Sequence, residues 1–314
     1  MTEENEMILL MKELVEKVKN LEDAVYHKDN LLMKSGYVVE DTPPPPTTQQ
    51  NTTQENSFEF SFTAPTEFVE LPSKGRFYPE NHPLHGQDSV EIRQMTAKDE
   101  DILTSKTLLK KGVAIDRLVA NVLVDKRINP DDLLVGDKNA LLVALRVSGY
   151  GSDYETNVTC PRCMTAVNFK FDLLEKAELI GNDFGPYDII ANDSGTFTIT
   201  LPKTKAQVEV RLLTGHDEKR LMARAKNKQK HNLPEAPLTD VMELYIVSVN
   251  GSDAPQVKGS LIANMPAIDA RYLRNAYKSV VPNFELVQDF ACVECDYEQE
   301  MEVPFTADFF WPKS

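Results

Sequence analysis

Residues 90–105 read VEIRQMTAKDEDILTS, and residues 208–223 read VEVRLLTGHDEKRLMA. Seven of the sixteen positions are identical without a gap, where ordinary residue usage would give roughly one by chance. The shared residues have physical roles. Val-Glu-Ile/Val-Arg alternates as a half-buried strand does. Thr96 and Thr214 stand where a helix N-cap belongs, and Asp99 and Asp217 lie three residues on, close to a capping-box pattern. Each copy therefore predicts a strand that turns through a threonine into a helix. The acidic pairs Asp99-Glu100 and Asp217-Glu218 then fall in a first helical turn, where the helix dipole favours them. They read as helix-start residues and not as catalytic carboxylates.

The correspondence extends outward from these stretches. Upstream, each has a strand ending in Leu-Pro, at Leu71-Pro72 and Leu201-Pro202. Downstream, a second apolar helix is expected around Ile115–Val124 and around Leu238–Val249. A third is expected over Asp137–Val147 and Ala267–Val280, with Leu145-Arg146 and Leu273-Arg274 at comparable places. The pattern predicts duplication of one unit; convergence on a common strand–cap–helix unit is the alternative.

The four cysteines form two pairs, Cys160-Pro-Arg-Cys163 and Cys292-Val-Glu-Cys295. Two CxxC pairs are the usual supply for a tetrahedral four-thiolate zinc site. Each is followed by an alternating segment, Val167–Phe171 and Gln299–Val303, so strand, knuckle, strand is the expected geometry of a zinc ribbon. The ribbon would be split, because 128 residues separate Cys163 from Cys292. The repeat accounts for the gap. The first CxxC lies 70 residues beyond Val90 and the second 84 beyond Val208, each after the third helix of its own half. The expectation is one structural Zn2+ per chain, held by Cys160, Cys163, Cys292 and Cys295. Two disulfides would suit an exported chain, and a redox CxxC would sit at a helix N-terminus. Four thiolates close the metal's shell and leave no catalytic position.

Ahead of this body, Met7, Met11, Leu14, Val18, Leu21, Val25, Lys28 and Leu32 follow an alternating 4-3 spacing. That spacing predicts a short coiled coil over residues 1–36, for self-association or pairing with a partner coil; an amphipathic helix docked on another surface is the alternative. Pro43–Pro46 and the polar run Thr47–Gln54 mark residues 37–66 as a linker. The globular domain is then 67–314, with halves 67–175 and 195–314. The fold class is α+β, duplicated strand–helix halves joined by a split four-cysteine zinc ribbon.

Charge narrows the partners. The net charge is −15, which argues against nucleic acid or an anionic membrane as the main partner. No apolar run reaches the ~20 residues of a membrane span, and the N-terminus has no basic n-region, so the chain reads as made in a cytosol. No GxxxxGK[ST], GxGxxG, GxSxG or HExxH stretch occurs. His82-Pro-Leu-His85 has ligand-like spacing but lies in a Pro/Gly-rich loop, and reads as a solvated loop. His216 follows a helix cap, a poor place for a catalytic cation. Phe309-Phe310-Trp311 near the C-terminus either plugs the core or anchors a neighbour.

The run FVELPSKGRFY (68–78), then MTAKDEDIL (95–103), ALRVSGYG (144–151), TCPRC (159–163), the second CxxC and FFWP (309–312) resembles the baseplate hub protein family of T-even-like contractile-tailed bacteriophages. The resemblance covers most of residues 67–314. It implies a non-enzymatic structural component of the tail baseplate in its hub region, assembled in the host cytoplasm, with other baseplate or tail proteins as partners. An assembly factor absent from the mature virion, or a nucleic-acid-binding zinc-ribbon protein, are the competing readings.

Overall fold

The computed structural model describes residues 64–175, 177–181, 184–234, 236–304 and 309–310. The expected coiled coil and the linker up to residue 63 lie outside them. Two strands, β1 (Thr66–Glu70) and β2 (Ser89–Arg93), pair antiparallel. Val69, Val90 and Ile92 face the core, and the chain then turns into α1 (Ala97–Thr104), α2 (Lys106–Lys111) and α3 (Ala114–Val122). Leu118, Val119 and Val122 form the buried stripe of α3, each burial worth about 2 kcal/mol. Leu123 leaves the helix in extended conformation and bridges Ile92. A 3-10 turn at Pro130–Asp132 leads to α4 (Val135–Tyr150), and α4 to the hairpin of β3 (Asp153–Thr159) and β4 (Ala166–Asp172).

After β5 (Ala177–Ile180) and β6 (Ile189–Ala191) the same order returns. Strands β7 (Thr196–Thr200) and β8 (Gln207–Arg211) are followed by α5 (Gly215–Lys230), α6 (Pro237–Tyr245) and β9 (Ile246–Val249). An added helix, α7 (Pro255–Asn264), precedes α8 (Ala267–Val280) and the hairpin of β10 (Asn283–Ala291) and β11 (Glu298–Glu302). The sheet order is β6-β7-β8-β9, and β10 pairs with both β11 and β5. The helix expected over Leu238–Val249 is thus shorter, since β9 leaves it at Ile246 to pair with β8. In the same way Leu123 ends the helix expected to reach Val124. Val124 and Ile246, both β-branched, bond to strand partners at Glu91 and Val210 and so do not continue the helix.

Two polar locks recur at corresponding places. In the first, Arg93 holds Asp99 through two bonds of 2.6 and 2.9 Å, and Arg211 holds Asp217 through two of 2.7 Å. The Thr96 and Thr214 backbone N–H groups donate to the same carboxylates, completing capping boxes. Burial alone would raise these carboxyls, but the hydrogen bonds from arginine and threonine hold both below the ordinary carboxylate range. Asp99 and Asp217 lie in the first helical turn as expected, and each is in addition a buried, bidentate ion-pair partner that fixes the strand-to-helix turn.

The second lock uses the third residue of the helix leading to each hairpin. Asp137 accepts from Ser73 N (2.9 Å), Ser73 Oγ (2.6 Å) and Tyr78 OH (2.7 Å); Asp269 accepts from Lys203 N (2.7 Å) and Thr204 N (2.9 Å). Both carboxylates pin the turn after a Leu-Pro. In the first of these turns Gly75 has φ +69°, and an added Cβ would stand 2.4 Å from Gln87 N, so only glycine fits. Aligning α4 with α8 on these aspartates matches Leu141 with Leu273 and Leu145 with Tyr277. The expected match of Leu145-Arg146 with Leu273-Arg274 is one helical turn out of register.

The two stretches also meet directly. Val135 N–H donates to Leu213 O and Gly215 N–H to Leu133 O, and Lys138, only 8% exposed, bonds Asp116 (2.9 Å) and Glu218 (2.8 Å). Lys219 adds bonds to Asp116 and Asp131, and His216 sits 2.9 Å from Asp132. Gly136 faces the start of β10, where a Cβ would collide with Pro282 O at 1.9 Å. Replacing Asp99 or Asp217 with Ala removes a buried carboxylate, leaves a half-buried guanidinium without its partner and opens a cap, and each should lower the unfolding free energy by about 2 kcal/mol in urea titrations. Asp101→Ala, on the exposed side of α1, should stay within about 0.5 kcal/mol. Because both carboxyls titrate lower when folded, their contribution is present above about pH 4 and is lost as pH falls through their folded values.

Candidate metal centre

The β3–β4 and β10–β11 hairpins end in turns built alike. Cys160 N–H donates to Thr165 O and Met164 N–H to Cys160 O, both at 2.9 Å; Cys292 N–H donates to Tyr297 O (2.9 Å) and Asp296 N–H to Cys292 O (3.0 Å). Met164 and Asp296, one residue past each second cysteine, adopt the left-handed region at φ 60° and 53°. That reversal turns both thiols of a pair to one side of the hairpin. Cys160 and Cys292 are buried, Cys163 is exposed and Cys295 intermediate, so each knuckle supplies one inner and one outer sulfur.

All four Sγ atoms lie within 4.8 Å of one another. Inner Cys160 is 3.8 Å from outer Cys295, and outer Cys163 is 3.8 Å from inner Cys292. Disulfide sulfurs stand about 2 Å apart, which these do not. Around a zinc ion with metal–sulfur bonds of about 2.3 Å, tetrahedral sulfurs are about 3.8 Å apart. The donor set and its spacing therefore fit a tetrahedral thiolate-bound ion. Hydrogen bonds from the Thr165 side chain and backbone hold the Cys163 thiol down at about 6, while desolvation pushes Cys295 up to about 12. Four thiolates this close repel one another strongly, and a divalent cation would remove that repulsion and displace the remaining protons.

The surroundings tie the hairpins together. The Arg162 guanidinium lies over the Tyr297 ring at 5.9 Å, joining one knuckle to the other. Phe169 meets Phe290 edge-on at 5.1 Å, and Gln288 accepts from Asp172 N–H while donating to Asp172 O. Phe309 and Phe310 are buried, with Phe309 edge-on to Tyr154 of β3 at 5.3 Å. These two aromatics plug the core beside the first hairpin. Sequence reading had no signal for the Gln288 and Tyr297 contacts. It could have found Asp137 and Asp269, which stand 132 residues apart, as do Cys160 and Cys292.

His82 and His85, whose spacing resembles that of metal ligands, lie in the loop that follows Tyr78. His82 stacks on Tyr78 at 4.5 Å and accepts from Leu84 N–H, and His85 Nδ1 lies 2.7 Å from Tyr78 O. The solvated-loop reading holds for His85, Gly86 and Gln87, which are exposed, while Leu84 is buried and His82 is half-buried against Tyr78. No helix among the described residues is long and apolar enough to cross a membrane.

A mixed α+β body with a four-thiol cluster suited to a metal defines the class of protein. The chain belongs to the T4 bacteriophage base plate protein family, which it matches over residues 64–311. That span runs from the start of β1 to the terminal aromatics and includes both knuckles. Neither a curated protein nor a solved structure gives a match.

Cys160→Ser and Cys292→Ser remove one inner sulfur each from opposite knuckles. With one shared ion, both should lose the metal and lower Tm by a similar amount, about 10 °C by differential scanning calorimetry. A large drop in one and none in the other would mean that the knuckles do not share a site.

Proposed function

We propose that this chain is a non-enzymatic structural component of a phage tail baseplate, in its hub region, in which two duplicated halves are stapled by one zinc ion. The family match over residues 64–311 carries the reading. The ligands are Cys160, Cys163, Cys292 and Cys295, a closed set that gives stability and leaves no position for a substrate. Support for duplication comes from the paired locks Arg93–Asp99 and Arg211–Asp217, and from the equal 132-residue offsets of Asp137 to Asp269 and Cys160 to Cys292.

Its partners are other baseplate or tail proteins, met during assembly in the host cytoplasm, and its final location is the virion. The tethered helix at residues 1–36 recruits a neighbour or a second copy. The body's own bonds set its shape: the ion pairs and backbone bridges between the stretches make it a rigid block suited to a mechanical assembly.

Quantitative mass spectrometry of purified tails should find the chain at a fixed copy number relative to other baseplate proteins. Its absence from finished tails, in a phage that cannot build baseplates without it, would make it an assembly factor instead. Deleting residues 1–36 should leave the thermal unfolding of the body unchanged and reduce incorporation into tails.

A further inference from the structure

The two sheets that open each half differ at one edge. In the second half, β6 covers the outer edge of β7: Asn192 N–H donates to Thr196 O (2.8 Å) and Thr200 N–H to Asp188 O (3.0 Å). Thr196, Thr198 and Thr200 therefore point their backbone groups at β6. In the first half the register of β1 with β2, closed by Gln94 N–H to Pro65 O and Leu71 N–H to Asp88 O, turns Glu67 and Val69 towards β2. Thr66, Phe68 and Glu70 present their N–H and C=O groups to the other side. Among the described residues no strand lies there.

The outer face differs too. In the second half Glu209 accepts from the Thr196 and Ser248 hydroxyls, a satisfied polar row. The matching row in the first half is Phe68, Glu91 and Val124, with Phe68 72% and Val124 42% exposed. An uncovered strand edge beside an exposed phenylalanine is a template for strand addition.

About 25 Å of candidate strand lies just upstream of Ala64-Pro65, in a stretch outside the described residues. Ser57-Phe58-Glu59-Phe60-Ser61-Phe62-Thr63 alternates aromatic and polar residues, the period of a strand with one apolar face. In the second half, β6 joins β7 through Asp193-Ser194-Gly195, and Gly195 needs φ +76° to close that turn. The position before β1 is Pro65, whose ring fixes φ near −65°, so this three-residue turn is denied to the first half. Pro65 O is instead bonded to Gln94, so the β1 ladder continues back through Pro65 without a turn towards the outer edge.

We propose that the outer edge of β1 binds the segment Ser57–Thr63 of a second copy of this chain, in a reciprocal strand exchange. The alternate phenylalanines lie along the Phe68–Val124 row, and each copy closes the other's edge. A proline between a donated strand and its own body, which blocks local folding-back, is the kind of hinge from which such exchange arises. The 4-3 apolar spacing at Met7–Leu32, if it pairs copies, raises the local concentration of the donor.

Amide hydrogen exchange on the full-length protein, followed over a dilution series together with light scattering, tests this. At a total concentration about 100 times the dissociation constant, where about one chain in 15 remains monomeric, the Thr66, Phe68 and Glu70 amides should exchange about 15-fold more slowly than in the monomer. The protection should disappear in the donor variant Phe58→Ser/Phe60→Ser/Phe62→Ser. It should disappear equally at Thr66 and Glu70 in the acceptor variant Phe68→Pro, which removes an outward N–H and leaves the β2 ladder intact. Protection that persists in the diluted monomer would mean that the segment folds back on its own chain, and would overturn the exchange. A dimer with freely exchanging β1 amides would overturn it as well.

Discussion

Four sulfurs drawn from two hairpins must meet within 4.8 Å, and the rest of the body is arranged to make that meeting possible. The chain between Cys163 and Cys292 is 128 residues long, and a cross-link closing so long a loop removes about 5 kcal/mol of unfolded-state freedom. The sulfurs alone could not find one another without a frame. Helices α4 and α8 supply it, each entering its hairpin from a helix whose third residue is locked to a Leu-Pro turn. Gly136 lets α4 approach the start of β10 within van der Waals reach. The hairpins then touch through Phe169, Phe290 and Gln288, and the thiols lie at the tips.

The buried charges divide between two tasks. Asp99 and Asp217 act within their own stretch, holding a strand to the helix that follows. Lys138 acts between stretches, and burial would lower its pKa were it not for Glu218 and Asp116, which raise it. A lysine this buried is tolerated only with its carboxylates in place, so the network specifies one arrangement of α4 against α5. Both devices are costly to half-assemble, which favours a single well-defined body over a set of loosely packed ones.

Much of this was legible in the chain because it rests on short, fixed spacings. The capping boxes need only a threonine and an aspartate three apart, and the knuckles need only CxxC. Arg93 and Arg211 stood among the identical positions, yet their bond to Asp99 and Asp217 crosses a turn and has no sequence period. Residues 241–249 are mostly apolar, interrupted by Glu243 and Ser248, and the break at Ile246 follows from pairing with β8, which local propensity cannot announce. Strands β5 and β6 are too short to show a period, and α7 has no buried residue to mark a face. The Leu-Arg dipeptides misled because identity was read without the third-residue aspartates that set the true register.

Native mass spectrometry of the purified full-length chain tests the central claim most directly, because it weighs the folded protein with whatever ion it holds. The account predicts a mass excess of one zinc per chain under native conditions, lost on denaturation in acid together with the appearance of four free thiols. A metal-free native mass, or a mass reduced by the hydrogens of two disulfides, would contradict it.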